Sequence, residues 1–165
     1  YERHDTKTPL GTASTNLLND QVVLNTILRA GLPLQRGISQ ILDAAELSFV
    51  GAARKPETAA GVEIELSYAA TPRLEGKVLV MADIMVATGK SLVTTYQALT
   101  SHYGTPARTI IVGVIGSEPG VKYVQEQLPD AALILCAIDP KLDHNYFIVP
   151  GLGDAGDLLF GPKAL

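Results

Sequence analysis

The sequence has no tryptophan, a single cysteine and only 5% aromatic residues. One cysteine cannot close an internal disulfide, so a reducing compartment is expected. That residue, Cys136, stands in the apolar stretch "ALILCAI" and reads as a small buried apolar side chain. The chain also lacks any apolar run of the ~18 residues that a membrane span needs. No basic start followed by an apolar block suggests a secretory signal, and a cytoplasmic location is expected. Long basic runs are missing too, and the net charge is -4. Both weigh against nucleic acid as an electrostatically held partner. They leave room for a small polyanion, which needs only a few local cations and backbone N–H donors. No Cys/His set has metal-ligand spacing, so no structural zinc is expected. His102 and His144 read as surface residues without a role.

The sequence does supply material for a core. Its 165 residues are 47% hydrophobic, which fits one domain over 1–165. Short runs rich in Val and Ile predict strands at 21–28, 47–52, 62–69, 77–82, 109–115 and 132–138. Between them, 32–44, 90–103 and 119–129 carry helical patterns, and Gly104 and Pro106 follow the second as stop signals. Several strands are apolar at nearly every position, as in a parallel sheet covered on both faces. Strand–helix–strand alternation gives an α/β fold: an open, mostly parallel sheet with helices on both faces. Two successive strand candidates within Leu47–Ala82 predict a β flap or hairpin, with "RKPETAAG" (54–61) as its polar turn.

In such sheets ligands gather beyond the carboxyl ends of the strands. The strongest signal there is "KVLVMADIMVATGKSL" (77–92): a strand, an acid, a short loop and a helix start. Asp83 falls where the strand ends. Ala87-Thr88-Gly89-Lys90-Ser91 makes a small-residue turn that offers backbone N–H groups and hydroxyls to an anion at a helix N-terminus. Asp83 suits sugar hydroxyls or a hydrated metal ion, so the segment fits a phosphorylated sugar. A nucleotide P-loop would need glycine at position 84, where isoleucine stands. Near the end, Gly151-Leu152-Gly153-Asp154-Ala155-Gly156 is a literal G-x-G-x-x-G. A dinucleotide fingerprint must open a helix inside a βαβ unit of ~30 residues. Only nine residues follow Gly156, so this match is coincidental, and the glycines suit a tight loop around a small flat base.

With these residues in view, the chain resembles the uracil phosphoribosyltransferases, which belong to the type I phosphoribosyltransferases. "ILRAGL" (27–32), "ADIMVATGKS" (82–91), "AIDPKLDHNYFIVPGLGDAGD" (137–157) and "LFG" (159–161) match successive blocks of that family in the same order. The resemblance implies a C-terminal base-binding loop and this reaction: uracil plus 5-phosphoribosyl 1-diphosphate (PRPP) gives UMP plus diphosphate. It implies Mg2+ bound with PRPP rather than a resident metal, a homodimer or higher homo-oligomer, and GTP as an activator. It assigns the PRPP loop to Asp83, Ile84, Met85, Val86, Ala87, Thr88, Gly89, Lys90 and Ser91. Arg29 resembles the arginine that meets the diphosphate, and Arg54 another that contacts PRPP. Ile148, Gly153, Asp154 and Ala155 match the uracil-binding positions, with Asp154 also facing PRPP. Asp154 and Arg29 are the candidate catalytic residues. The family implies further N-terminal residues than this chain has, since it begins "YERHDTKTPLG" without Met. Three positions depart from the family pattern: Lys90 where glycine is common, Leu158 where a basic residue is common, and Phe147 in place of a tyrosine. Lys90, Leu158 and the short N-terminus keep open a PRPP- or UMP-binding regulator with little turnover, and a transferase for a different base is a further alternative.

Overall fold

The computed structural model describes residues 2–18, 20–54 and 64–162. In chain order the strands are β1 (Glu2–Thr8), β2 (Gly11–Leu17), β3 (Val22–Leu28), β4 (Glu46–Arg54), β5 (Ile64–Ala70), β6 (Val78–Ala82), β7 (Met85–Val86), β8 (Arg108–Ser117), β9 (Ala132–Asp139), β10 (Lys141–Leu142) and β11 (Ile148–Val149). The helices are α1 (Leu32–Ser39), α2 (Lys90–Tyr103), α3 (Glu118–Gln127) and α4 (Ala155–Phe160).

The central sheet runs β5-β4-β3-β6-β8, with β9 on the free side of β8. Strands β4, β3, β6, β8 and β9 are mutually parallel, and β5 returns antiparallel to β4. The expected hairpin is therefore present, while its turn at 55–63 lies outside the described residues. The pleat of the strands divides their side chains between two cores. Val23, Ile27, Leu79, Met81 and Ile111 face α2 and α3, joining Leu92, Leu99 and Val124. Val22, Leu24, Val80 and Ala82 face the other way and are covered by Leu34 and Ile38 of α1. This is the doubly covered, mostly parallel sheet that the apolar strands foretold. Among the described residues, no helix is long and apolar enough to cross a membrane.

Where structure and expectation differ, the cause is local. The first helix stops at Ser39, because Ile41, Leu42 and Ala45 fold into successive turns on Ile38 and Leu42. Cys136 is exposed, contrary to its apolar surroundings. Among the described residues, strand β9 pairs only with β8, and while Leu133 and Leu135 pack against the α2–α3 core, its opposite face is open, with Ile134 and Ile138 each more than half exposed. The hairpin β1–β2 was not expected at all. It pairs Glu2–Thr8 with Gly11–Leu17 and is exposed along both strands, so no buried face writes an apolar period into it.

Candidate active site

The site lies where β3 and β6 end. Strand β6 breaks at Asp83–Ile84, and β7 resumes along the same edge of β8. The Ile84 carbonyl bridges the break by accepting hydrogen bonds from the N–H groups of both Val114 and Ile115, 3.0 Å each. Asp83 stands at that break and lines the cavity. Burial pushes this carboxyl up to about 7, against the backbone N–H groups of Met85 and Ile84, whose hydrogen bonds pull it down.

Beyond β7 the chain turns into α2. Gly89 is the N-cap, with φ +74, a left-handed conformation natural to glycine. No side chain caps α2, and no acidic residue stands in its first turn. Among the described residues, no carboxylate caps its first amides, and the positive end of the helix dipole faces the loop. Thr88 Oγ1 accepts only a long hydrogen bond from the Lys90 N–H, 3.4 Å.

The loop is supported from below by residues the sequence did not single out. Ser117, fully buried at the end of β8, donates its hydroxyl hydrogen to the Ala87 carbonyl at 2.6 Å. The same oxygen accepts the Gly120 N–H at 3.0 Å and so caps α3. The signal was available: Ser117-Glu118-Pro119 is an N-cap followed by proline in the first turn.

The tail closes the site. In the hairpin β10–β11, Asp143 Oδ1 accepts the N–H groups of Asn145 and Phe147 at 2.9 and 2.8 Å. Asp139, at the end of β9, accepts the Gly151 N–H at 2.8 Å and anchors the loop that follows β11. Asp154 caps α4, its Oδ1 accepting the Asp157 N–H at 2.9 Å. Arg29, just after β3, donates from Nη2 to Asp157 Oδ1 at 2.6 Å and from Nη1 to the Gly161 carbonyl at 3.3 Å.

One open cavity of about 730 Å³ collects these parts. Of the expected site residues, Arg29, Asp83, Met85, Ala87, Ile148, Gly153 and Asp154 line it, joined by Ala30, Tyr146 and Phe147. The others are not on its wall. Ile84 lies at the break between β6 and β7, and Thr88, Gly89, Lys90 and Ser91 lie at the turn into α2 and its first turn; all are partly or fully buried. Val86 packs into the main core, which leaves only its backbone to face a ligand, and Ala155 is buried in the first turn of α4. Arg54 ends β4, and only its backbone belongs to the described part. Among the described residues, no group of three or more His, Cys, Asp or Glu could hold a metal ion unaided. Two carboxylates facing one cavity suit a divalent cation that arrives with most of its oxygen ligands already in place.

A parallel sheet with an acid at the end of β6, an uncapped helix N-terminus beside it and a closing tail is the plan of the type I phosphoribosyltransferases. Solved members share this fold: the purine phosphoribosyltransferase of Pyrococcus horikoshii superposes with a TM-score of 0.52 at 15% identity, over 74% of this chain and 70% of that one. Closer likenesses narrow the class. The family model described as "Uracil phosphoribosyltransferase" matches residues 1–162. The uracil phosphoribosyltransferase of Porphyromonas gingivalis is 44% identical over 157 residues, 94% of this chain and 72% of its own length. That of Methanothermobacter thermautotrophicus is 40% identical over 159 residues, 95% of this chain and 72% of its own length. The AQ2163 protein of Aquifex aeolicus has a TM-score of 0.88 at 32% identity, covering 99% of this chain and 77% of that one. The chain belongs to the uracil phosphoribosyltransferase family.

Proposed function

We propose that the chain transfers the phosphoribosyl group of PRPP to uracil, releasing diphosphate and forming UMP. The observation that supports this most is the one cavity shared by Asp83 and Ala87 of the loop, Arg29 just after β3, and Ile148, Gly153 and Asp154 of the tail. The 5-phosphate goes to the amides and hydroxyls at 87–91, with Lys90 adding a positive charge at the first turn of α2. The ribose hydroxyls go to Asp83. Uracil lies in the tail, where backbone N–H and carbonyl groups of the glycine-rich loop would read its two carbonyls and N–H.

The chemistry follows from charge. Breaking the bond at the anomeric carbon builds oxocarbenium character on the sugar and negative charge on the departing diphosphate. Arg29 faces that negative charge, and Arg54 is a second candidate. Mg2+ carried in on the diphosphate would neutralise part of it, with Asp83 and Asp154 as the carboxylates within the cavity that can hold its waters. Holding the uracil nitrogen in line with the anomeric carbon supplies much of the rate. Asp154 is the group placed to take the uracil proton. Cytoplasmic location, homo-oligomeric assembly and activation by GTP belong to this reading through the family.

Incubation with radiolabelled uracil, PRPP and Mg2+ should give UMP, and no product from well-folded protein would sink the proposal. A panel of bases separates it from a transferase with another specificity. Tight UMP binding without turnover would identify a regulator instead.

Asp83 gives a pH test with a definite sign. Its folded-state value of about 7 lies above the ordinary 3.8. Below about 4 the carboxyl is protonated whether the chain is folded or not, and burial costs the fold nothing. As pH rises toward 7 the unfolded chain ionises first, so stability falls, and the full penalty holds above 7. Asp83→Asn should therefore melt at a higher temperature than the parent at pH 8 and show little advantage at pH 4. The same variant should use PRPP poorly at pH 8, having lost the anion that receives the ribose hydroxyls. Equal melting differences at both pH values would contradict the buried carboxylate.

A further inference from the structure

We propose that Asp157 is a positioning residue that ties the base loop to the diphosphate arginine, so that uracil and diphosphate bind cooperatively. The inference rests on the reading of Arg29 as the diphosphate contact. Among the described residues, both side-chain hydrogen bonds of Arg29 end on the tail: Nη2 on Asp157 Oδ1 at 2.6 Å and Nη1 on the Gly161 carbonyl at 3.3 Å. The Asp157 N–H is held by Asp154 Oδ1, and the Gly161 N–H by the Asp157 carbonyl, 2.9 Å each. The first turn of α4 lies against the guanidinium: a Cβ on Gly156 would sit 3.6 Å from Arg29 Nη2 and 3.2 Å from Asp154 Oδ1. The diphosphate arginine, the ion pair and the cap of α4 thus form one connected unit, and Arg29, Asp154 and Gly156 all line the cavity.

Two features make this more than a structural contact. The partners are each more than a third exposed, 35% and 38%, a setting in which an ion pair adds little to folding stability. The guanidinium also has N–H donors left over after its two bonds to the tail, in a rigid planar fork. Fixing one edge on α4 therefore aims the rest. When the loop settles on uracil, Asp157 moves with it and sets Arg29 for the leaving group. When diphosphate engages Arg29, the same pair draws α4 into place. Such coupling is reciprocal by thermodynamic necessity.

Uracil and inorganic diphosphate cannot react with each other, so calorimetry can measure both on the intact protein in the presence of Mg2+. Saturating uracil should tighten diphosphate binding by about 5-fold or more, with the same factor in the reverse titration. Asp157→Ala should bring that factor close to one while shifting the melting temperature little. Asp157→Asn, which keeps an acceptor for Arg29, should retain part of it. In steady state, Asp157→Ala should raise KM for PRPP more than KM for uracil measured at saturating PRPP. Absence of coupling in the parent, or full coupling in Asp157→Ala, overturns the proposal. Arg29→Ala with unaltered diphosphate affinity removes instead the underlying assignment of Arg29, and the proposal with it.

Discussion

Replacing Gly120 by alanine should cut kcat/KM for PRPP by about 100-fold or more in a protein that still folds. Gly120 lies in the first turn of α3, outside the cavity, and packs against the loop at 86–87 from behind. A Cβ there would lie well under 3.0 Å from the Ala87 carbonyl oxygen and 2.8 Å from that of Val86. Both obstacles are backbone, so no side-chain rotation relieves them. Either α3 or the loop at 86–87 must shift, and the buried Ser117 hydroxyl that joins them has to lengthen one of its two bonds. Overpacking of this kind costs ~1–3 kcal/mol, a drop of several degrees in melting temperature for a chain of this size. The catalytic loss is larger, because a displacement of ~1 Å in a positioning element can cost ~10²-fold in rate. The kinetic defect should fall on PRPP and spare uracil binding by the tail. Ser117→Ala removes one hydrogen bond without adding bulk and should show a milder form of the same defect. Parent-like kinetics in Gly120→Ala would mean that the loop at 87–91 does not depend on α3 for its shape.

The contrast between Gly120 and Gly89 shows what the sequence could disclose. Gly89 sits inside "ATGKS", between a strand and a helix, and its role at a helix N-terminus is local. The same holds for Asp83 and for the six strands from β3 to β9 that carry an apolar pattern: each is written within a few neighbouring residues. Gly120 stands some 30 residues after Ala87, and only the packing of α3 under the loop brings them together. The pairing of Arg29 with Asp157 spans |i−j| = 128, and nothing in either neighbourhood announces it. Leu158 is one of the three departures from the family pattern named above. The side chain is 71% exposed, and the tail is held through Asp157 to Arg29. Short elements were missed for a different reason. α4 spans six residues and β10 and β11 two each, too few to show a period. The reading of the second glycine-rich stretch as a loop around a base thus stands beside a helix that begins at Ala155, inside the hexapeptide. That helix ends at Phe160, far short of the βαβ unit a dinucleotide would need.

Asp154→Asn should lower kcat by about 100-fold or more while leaving the melting temperature near the parent's. The two expectations separate because the cap that Asp154 supplies and the catalytic duty proposed for it ask for different chemistry. As the N-cap of α4 it supplies one oxygen to the Asp157 N–H at 2.9 Å, and asparagine supplies an equivalent oxygen. As a carboxylate on the cavity wall it would supply charge, which asparagine cannot. Removal of a general base or of a charge aimed at the transition state costs ~10²–10⁴-fold. Asp154→Ala loses both duties. It should show the same catalytic defect and, in addition, the ~1 kcal/mol that an absent cap costs, read as a lower melting temperature. Its α4 should also hold Arg29 less firmly, since the cap and the Arg29–Asp157 pair share Asp157. Diphosphate affinity should therefore fall further in Asp154→Ala than in Asp154→Asn. If instead Asp154→Asn turns over at close to the parent's rate and Asp154→Ala does not, the carboxylate serves only to cap α4, and the proton of uracil leaves by another route.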